Sequence, residues 1–249
     1  MNGYYSLGLT DRDRIDASFG GGLPRGSLVL IEGGHGAGKS ALTQRFCYGF
    51  CETGHSVTYV STELEAAGFV SQMRSLSYSV VSHLLAEQML FLHADVDTRD
   101  RMDGREAGLD GREMLTRLMH AETMWRSDVV IIDGFDSILL HDPRFEAISD
   151  ENDEDDLMQN LITFFRQIVT DGTTVVFTVN PDSLSPNTLR PLRTVSDVYL
   201  DIETKSVGSE IRRNALVRKF GGMGEQVDDN IGFTVQSGRG ISIVSRTVA

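Results

Sequence analysis

The chain has 249 residues, 40% of them hydrophobic, and a net charge of −13 from 36 acidic against 23 basic side chains. That length allows one large core, and that charge argues against wrapping a nucleic acid backbone. With no run of eighteen apolar residues and no charged-then-apolar leader, neither a membrane span nor a secretory signal is expected.

The basic residues are unevenly chosen: Lys39, Lys205 and Lys219 are lysines and every other basic side chain is arginine. Few lysines among many carboxylates resembles the composition of proteins from salt-loving archaea, where a Debye length of roughly 3 Å at 1 M salt makes like-charge repulsion cheap. An ordinary acidic protein is the other reading.

In chain order, the first apolar run is "SLVLIE" at 27–32, followed by a glycine-rich turn and a helical segment, "SALTQRFCYGFCE", that stops at Gly54. Its cysteines, Cys47 and Cys51, are four apart on one helix, with no third metal ligand nearby. They read as two small apolar residues on a buried face, and a disulfide framework is excluded. Further strands are expected at 56–61, 89–96, 128–133 and 173–179, several as continuous rather than alternating apolar runs, the pattern of strands covered on both faces. The spacing predicts a helix through "GREMLTRLMHAETMWR", with Met114, Leu115, Leu118 and Trp125 along one side, and another through "DDLMQNLITFFRQIV", ending at Asp171-Gly172. Segments 95–111 and 141–156 read as loops, the latter an acidic, solvated run before a helix starting near Leu157. After Ser196 come short strands joined by glycine-rich turns. Together these predict an α/β fold: a mainly parallel sheet between helices, extended by C-terminal antiparallel hairpins.

Residues Gly33 to Ser40 read G-G-H-G-A-G-K-S and satisfy G-x-x-x-x-G-K-[ST] between a predicted strand and a predicted helix, the context that gives this pattern meaning. Gly34, Gly36 and Gly38 let the backbone turn so that successive N–H groups, with those of His35, Ala37 and Ala41, converge on phosphate oxygens. The helix's unpaired N–H groups and positive dipole end face the same anion. Lys39 supplies a point charge for the β- and γ-phosphates, and the Ser40 hydroxyl can ligate Mg²⁺. Asp133, closing "DVVIID", is the second metal anchor, holding Mg²⁺ through water. Glu63 ends the strand "VTYVSTE" as either a water-positioning base or a cap of the helix from about Glu65. Thr178 and Asn180, closing "VVFTVN", can reach the γ-phosphate or its attacking water, or Asn180 simply begins a turn. No Asn-Lys-x-Asp tetrapeptide is present to read guanine, which favours ATP.

The segments "ASFGGGLPRGSLVLIEGGHGAGKSALTQRFCYGF", "VTYVSTELEAAGFVSQMRSLSY" and "DVVIIDGFDSIL" together resemble the KaiC-type branch of the RecA-like ATPases. Within that branch the residues around Glu63 are most similar to the ATP-binding accessory proteins of the archaellum, the archaeal flagellum. The resemblance runs from about Arg14 to Val244 and implies a single RecA/KaiC-like ATP-binding domain over 1–249 with ATP and Mg²⁺ as cofactors. It also implies a homo-hexameric ring at the cytoplasmic face of the membrane-embedded base. The motor ATPase FlaI and cytosolic subunits of FlaC, FlaD and FlaE type would be its partners, with no nucleic acid. By matching position, Lys39 and Ser40 bind nucleotide and magnesium, Asp133 is the strand-end carboxylate and Glu63 the catalytic glutamate. Two departures stand out. Glu63-Leu64 replaces two adjacent glutamates, and "RKFGG" puts Arg218 and Phe220 where a Lys-x-Arg pair reaches the neighbouring subunit's phosphate. Losing that second cation removes charge stabilisation worth about 10³ or more in rate, so hydrolysis is expected to be slow at most. A DNA-acting or signalling ATPase of KaiC or RadA type is the alternative. A small-molecule phosphotransferase would need an arginine lid, for which Arg99, Arg101 and Arg105 are the candidates.

Overall fold

The computed structural model describes residues 3–96, 114–146, 151–207, 210–222 and 225–244. Strands β1 (Tyr4–Tyr5) and β2 (Leu23–Pro24) pair as a short antiparallel ribbon. The main sheet is built from β3 (Leu28–Gly33), β4 (Val57–Ser61), β5 (Met89–His93), β6 (Val129–Asp133), β7 (Thr174–Val179), β8 (Val198–Val207), β9 (Glu210–Phe220), β10 (Asn230–Gln236) and β11 (Gly240–Ile243). Its spatial order is β11-β10-β9-β8-β3-β7-β6-β4-β5. The strands from β8 through to β5 are parallel, and β8 to β11 run as antiparallel neighbours. The helices are α1 (Ile15–Ser18), α2 (Lys39–Glu52), α3 (Ala66–Ser75), α4 (Val81–Leu85), α5 (Met114–His120), α6 (Phe135–Leu140), α7 (Pro143–Glu146), α8 (Glu151–Thr170) and α9 (Pro186–Val195).

The continuous apolar runs have the cause their pattern predicts. Along β3, Val29 and Ile31 face a core shared with Phe46 and Phe50 of α2 and with Phe69 and Met73 of α3. The intervening Leu28 and Leu30 face a second core with Phe135 of α6, Phe165 of α8 and Leu192 of α9. Both faces are covered, so β3 is apolar as far as Glu32, whose buried carboxylate pairs with Arg193. Cys47 and Cys51 are free thiols in the first of these cores, Cys47 lying against the Met89 sulfur at 4.0 Å. No helix among the described residues is long and apolar enough to cross a membrane.

Three expectations need correction. The helix expected to run on to Arg126 ends at His120, and Trp125 instead sits on a separate 3-10 turn, Met124–Arg126. The indole N–H donates to the Leu118 carbonyl at 2.8 Å, satisfying a backbone acceptor that one more helical turn would have used. Strand β5 stops at His93 instead of running to Val96. The acidic run 141–156 is not one loop: α7 occupies Pro143–Glu146 and α8 begins at Glu151, six residues before Leu157. Carboxylates in a first helical turn lie at the positive end of the dipole. Glu154 is moreover buried, accepting hydroxyl hydrogen bonds from Ser185 at 2.5 Å and from Thr188 at the start of α9. Most of the expected loop 95–111, with Arg99, Arg101 and Arg105, lies outside the described residues.

Candidate functional site

The glycine-rich turn leaves β3 at Gly33 and enters α2 at Lys39. Gly36 and Gly38 take φ values of +70° and +98°, a left-handed backbone that side chains with a Cβ adopt only under strain. Gly38 is the N-cap of the 14-residue α2 and supplies no side-chain cap, so the first N–H groups of the helix remain open to an anion. The Lys39 ammonium folds back on the turn and donates to the carbonyls of Gly33 at 2.6 Å and Gly34 at 3.2 Å. Burial lowers the pKa of Lys39, while Asp136, Asp133 and Glu63 pull it upward.

Asp133 ends β6, which is separated from β3 in the sheet by β7. Its carboxylate is buried and held by two hydroxyl donors, Thr178 to Oδ1 at 2.8 Å and Tyr59 to Oδ2 at 2.9 Å, with the Ser40 hydroxyl nearby. Thr178 also accepts the Gly134 N–H at 2.8 Å, so it is oriented as a donor toward Asp133. Tyr59 lies 3.0 Å from the Thr43 hydroxyl of α2. Burial raises the carboxyl's pKa, and these three hydroxyls oppose the rise. The arrangement fits a hard divalent cation, since a carboxylate and a hydroxyl meet where the Lys39 charge and open helix amides would hold phosphate oxygens.

Gly134 has a stricter requirement than any glycine of the turn. Its φ is +91°, and a Cβ there would overlap the Thr62 hydroxyl. Gly134→Ala is expected to cost about 1–3 kcal/mol in backbone strain alone, seen as a lower melting temperature. An unchanged melting curve would show that the end of β6 yields without loss.

The pocket beside the turn has a volume of about 260 Å³. It brings together the residues His35 to Ala41 with Glu63, Asp133, Thr178 and Asn180. Glu63 is exposed, and the N-cap of α3 is Glu65, so Glu63 is not the residue that starts the helix. Asn180 accepts the Asp182 N–H with its side chain at 3.2 Å, which is a turn-initiating bond, yet it still lines the pocket. Arg218 does not line it: it is an exposed residue on β9 whose guanidinium donates to Asp201 at 2.9 Å. Sequence reasoning missed Asp136, Ser137 and Gln72, which also line the pocket. Asp136 is buried, which raises its carboxyl pKa while the neighbouring Asn180 backbone, Lys39 and Ser183 oppose the rise, and it is the largest electrostatic influence on Lys39 after burial itself. The available signal was the second acid in "DGFD", one helical turn beyond Asp133.

Comparison with known proteins adds relatives. A family model described as the KaiC ATPase matches residues 10–248. The archaeal flagellar ATP-binding protein FlaH of Methanocaldococcus jannaschii is 32% identical over 240 residues, spanning 96% of this chain and 95% of its own. The protein of the same description from Methanococcus voltae is 27% identical over 241 residues, spanning 96% of both chains. The crystal structure of the flagellar accessory protein FlaH from Methanocaldococcus jannaschii superposes with a TM-score of 0.83 at 31% identity, covering 97% of this chain and 99% of that one.

Proposed function

Because this chain belongs to the FlaH family within the KaiC-type ATPases, we propose that it is an ATP-binding regulatory subunit of the archaellum motor complex. The observation that carries this reading is the glycine turn with Lys39 set beside Ser40 and the buried Asp133. In it, the amides from Gly34 to Ala41 and the Lys39 ammonium hold the phosphates, while Ser40 and Asp133 hold Mg²⁺. The metal, when bound, neutralises charge on the β- and γ-phosphates. In this reading Glu63, exposed at the pocket's edge, orients an attacking water.

Turnover is slow in this proposal. Glu63 stands without a second glutamate, since Leu64 follows it. Arg218, the residue matching a trans-acting cation, has its charge engaged by Asp201 and Glu203 of its own chain. Nucleotide occupancy then acts as a switch: ATP stabilises a homo-hexameric ring that docks on FlaI, beside FlaC-, FlaD- and FlaE-type subunits, at the cytoplasmic face of the membrane-embedded base. Light scattering or mass photometry of the purified protein in concentrated KCl tests this. The expected result is a shift from monomer to ring mass on adding Mg-ATP, reversed by chelating magnesium. An identical mass with and without Mg-ATP would reject the switch.

A further inference from the structure

Resting on the nucleotide-binding reading of the glycine turn, we propose that Arg213 is a binding residue of this chain's own site. It would grip the phosphate nearest the nucleoside from the side opposite the magnesium carboxylate. Arg213 lies on β9, paired in register with Thr204 of β8 and Phe233 of β10. Its strand neighbours two and four residues on, Ala215 and Val217, pack into the core that holds α2. Side chains alternate along a strand, so Arg213 stands on the same face and continues that row to the N-terminal end of α2.

There it meets the turn. A Cβ built on Gly38 would lie 2.8 Å from Arg213 Cδ and 3.0 Å from its Nε. The aliphatic stem thus lies against the helix N-cap, beside the pocket and not among its lining residues. Arg45, Arg193, Arg144 and Arg218 are engaged by carboxylates, those of Asp13, Glu32, Asp142 and Asp201 respectively. Arg213 has no carboxylate partner among the described residues, and its Nε is shielded from solvent with no acceptor. A shielded guanidinium donor costs stability unless an anion satisfies it. The glycine at position 38 permits the approach, since any side chain there would displace the arginine.

Sheet order fixes which end of a nucleotide Arg213 would touch. Asp133 and Thr178 end β6 and β7, on one side of β3, whereas β8 and β9 lie on the other. A triphosphate with its outer phosphates at Lys39, Ser40 and Asp133 extends its nucleoside toward β8 and β9. Arg213 therefore contacts a phosphate common to ATP and ADP.

Titration of fluorescent mant-ATP and mant-ADP, each with Mg²⁺, into the wild-type chain, Arg213→Met and Arg213→Lys tests this. Methionine retains an apolar stem over Gly38, so the fold is kept, as a matching melting curve will show. Arg213→Met is expected to weaken both nucleotides by a similar factor of about ten or more, the loss of one charge-assisted hydrogen bond, and Arg213→Lys to restore part of it. Unchanged affinity in Arg213→Met, or a loss confined to the ATP analogue, would overturn the assignment while leaving nucleotide binding intact. A wild-type chain that binds neither nucleotide would sink both readings together.

Discussion

Lys39→Ala is expected to weaken ATP binding about thirtyfold or more, because truncating one partner of a desolvated charge pair costs about 2–5 kcal/mol or more. The fold should be unaffected. Among the described residues the ammonium donates only to the carbonyls of Gly33 and Gly34, which lie on the turn and can be hydrated in its absence. Melting curves of variant and wild type should therefore coincide while their ATP titrations separate. The ammonium stands amid Asp136, Asp133 and Glu63, so removing it also leaves three carboxylates to repel the incoming phosphates. The ring expected with Mg-ATP should fail to form in the variant at ATP concentrations that saturate wild type. Equal affinity in the two proteins would mean that the turn does not hold the phosphates.

The second large effect concerns stability instead of binding. Arg45 lies in α2, six residues after Lys39, and its side chain has 0% exposure beside an Asp13 side chain at 1%. The guanidinium is satisfied on all sides. Its Nε donates to Asp13 Oδ2 at 2.6 Å and Nη2 to Asp13 Oδ1 at 2.8 Å, while the Leu7 and Gly8 carbonyls accept at 2.6 and 2.8 Å. The Leu7 carbonyl also presses on Gly49 of α2, where any Cβ would overlap it. The segment from Leu7 to Asp13 is thus strapped across the helix that begins at the phosphate turn. Asp13→Ala strips a buried cation of its counter-charge and is expected to cost about 3–5 kcal/mol, a large part of the roughly 5–15 kcal/mol that holds a domain together. Urea unfolding followed by circular dichroism would measure it. Glu122→Ala, which breaks the exposed pair with Arg126, should change little, since water and salt already screen such pairs. A loss at Asp13 no larger than that of Glu122→Ala would show that water reaches Arg45.

Much of the architecture was legible because strand and helix periods are local. Each of the five parallel strands named from apolar runs is present, and the N-terminal bounds differ by at most one residue. The strands expected after Ser196 are present as β8 to β11. Local signals failed where a side-chain contact outside the helical period set the boundary. The helical spacing of "GREMLTRLMHAETMWR" said nothing of an indole turning back to the Leu118 carbonyl. The carboxylates after His141 suit a solvated loop and a first helical turn equally well. Contact between Glu154 and residues 185 and 188 decided in favour of helix.

The same division applies to the candidate site. Eight consecutive residues, Gly33 to Ser40, were enough to specify an anion-binding turn, because their glycines and lysine act through the backbone and through neighbours in sequence. Asp133 needed only its place at the end of an apolar strand. What surrounds them was settled by the order of strands in the sheet. That order brings Tyr59 and Thr178 to Asp133, sets Asp136 in the field of Lys39, and lays Arg213 on Gly38 from 175 positions away. Strand order arises from long-range packing of both faces of the sheet, and periodicity within a segment carries no record of which strand will lie beside it.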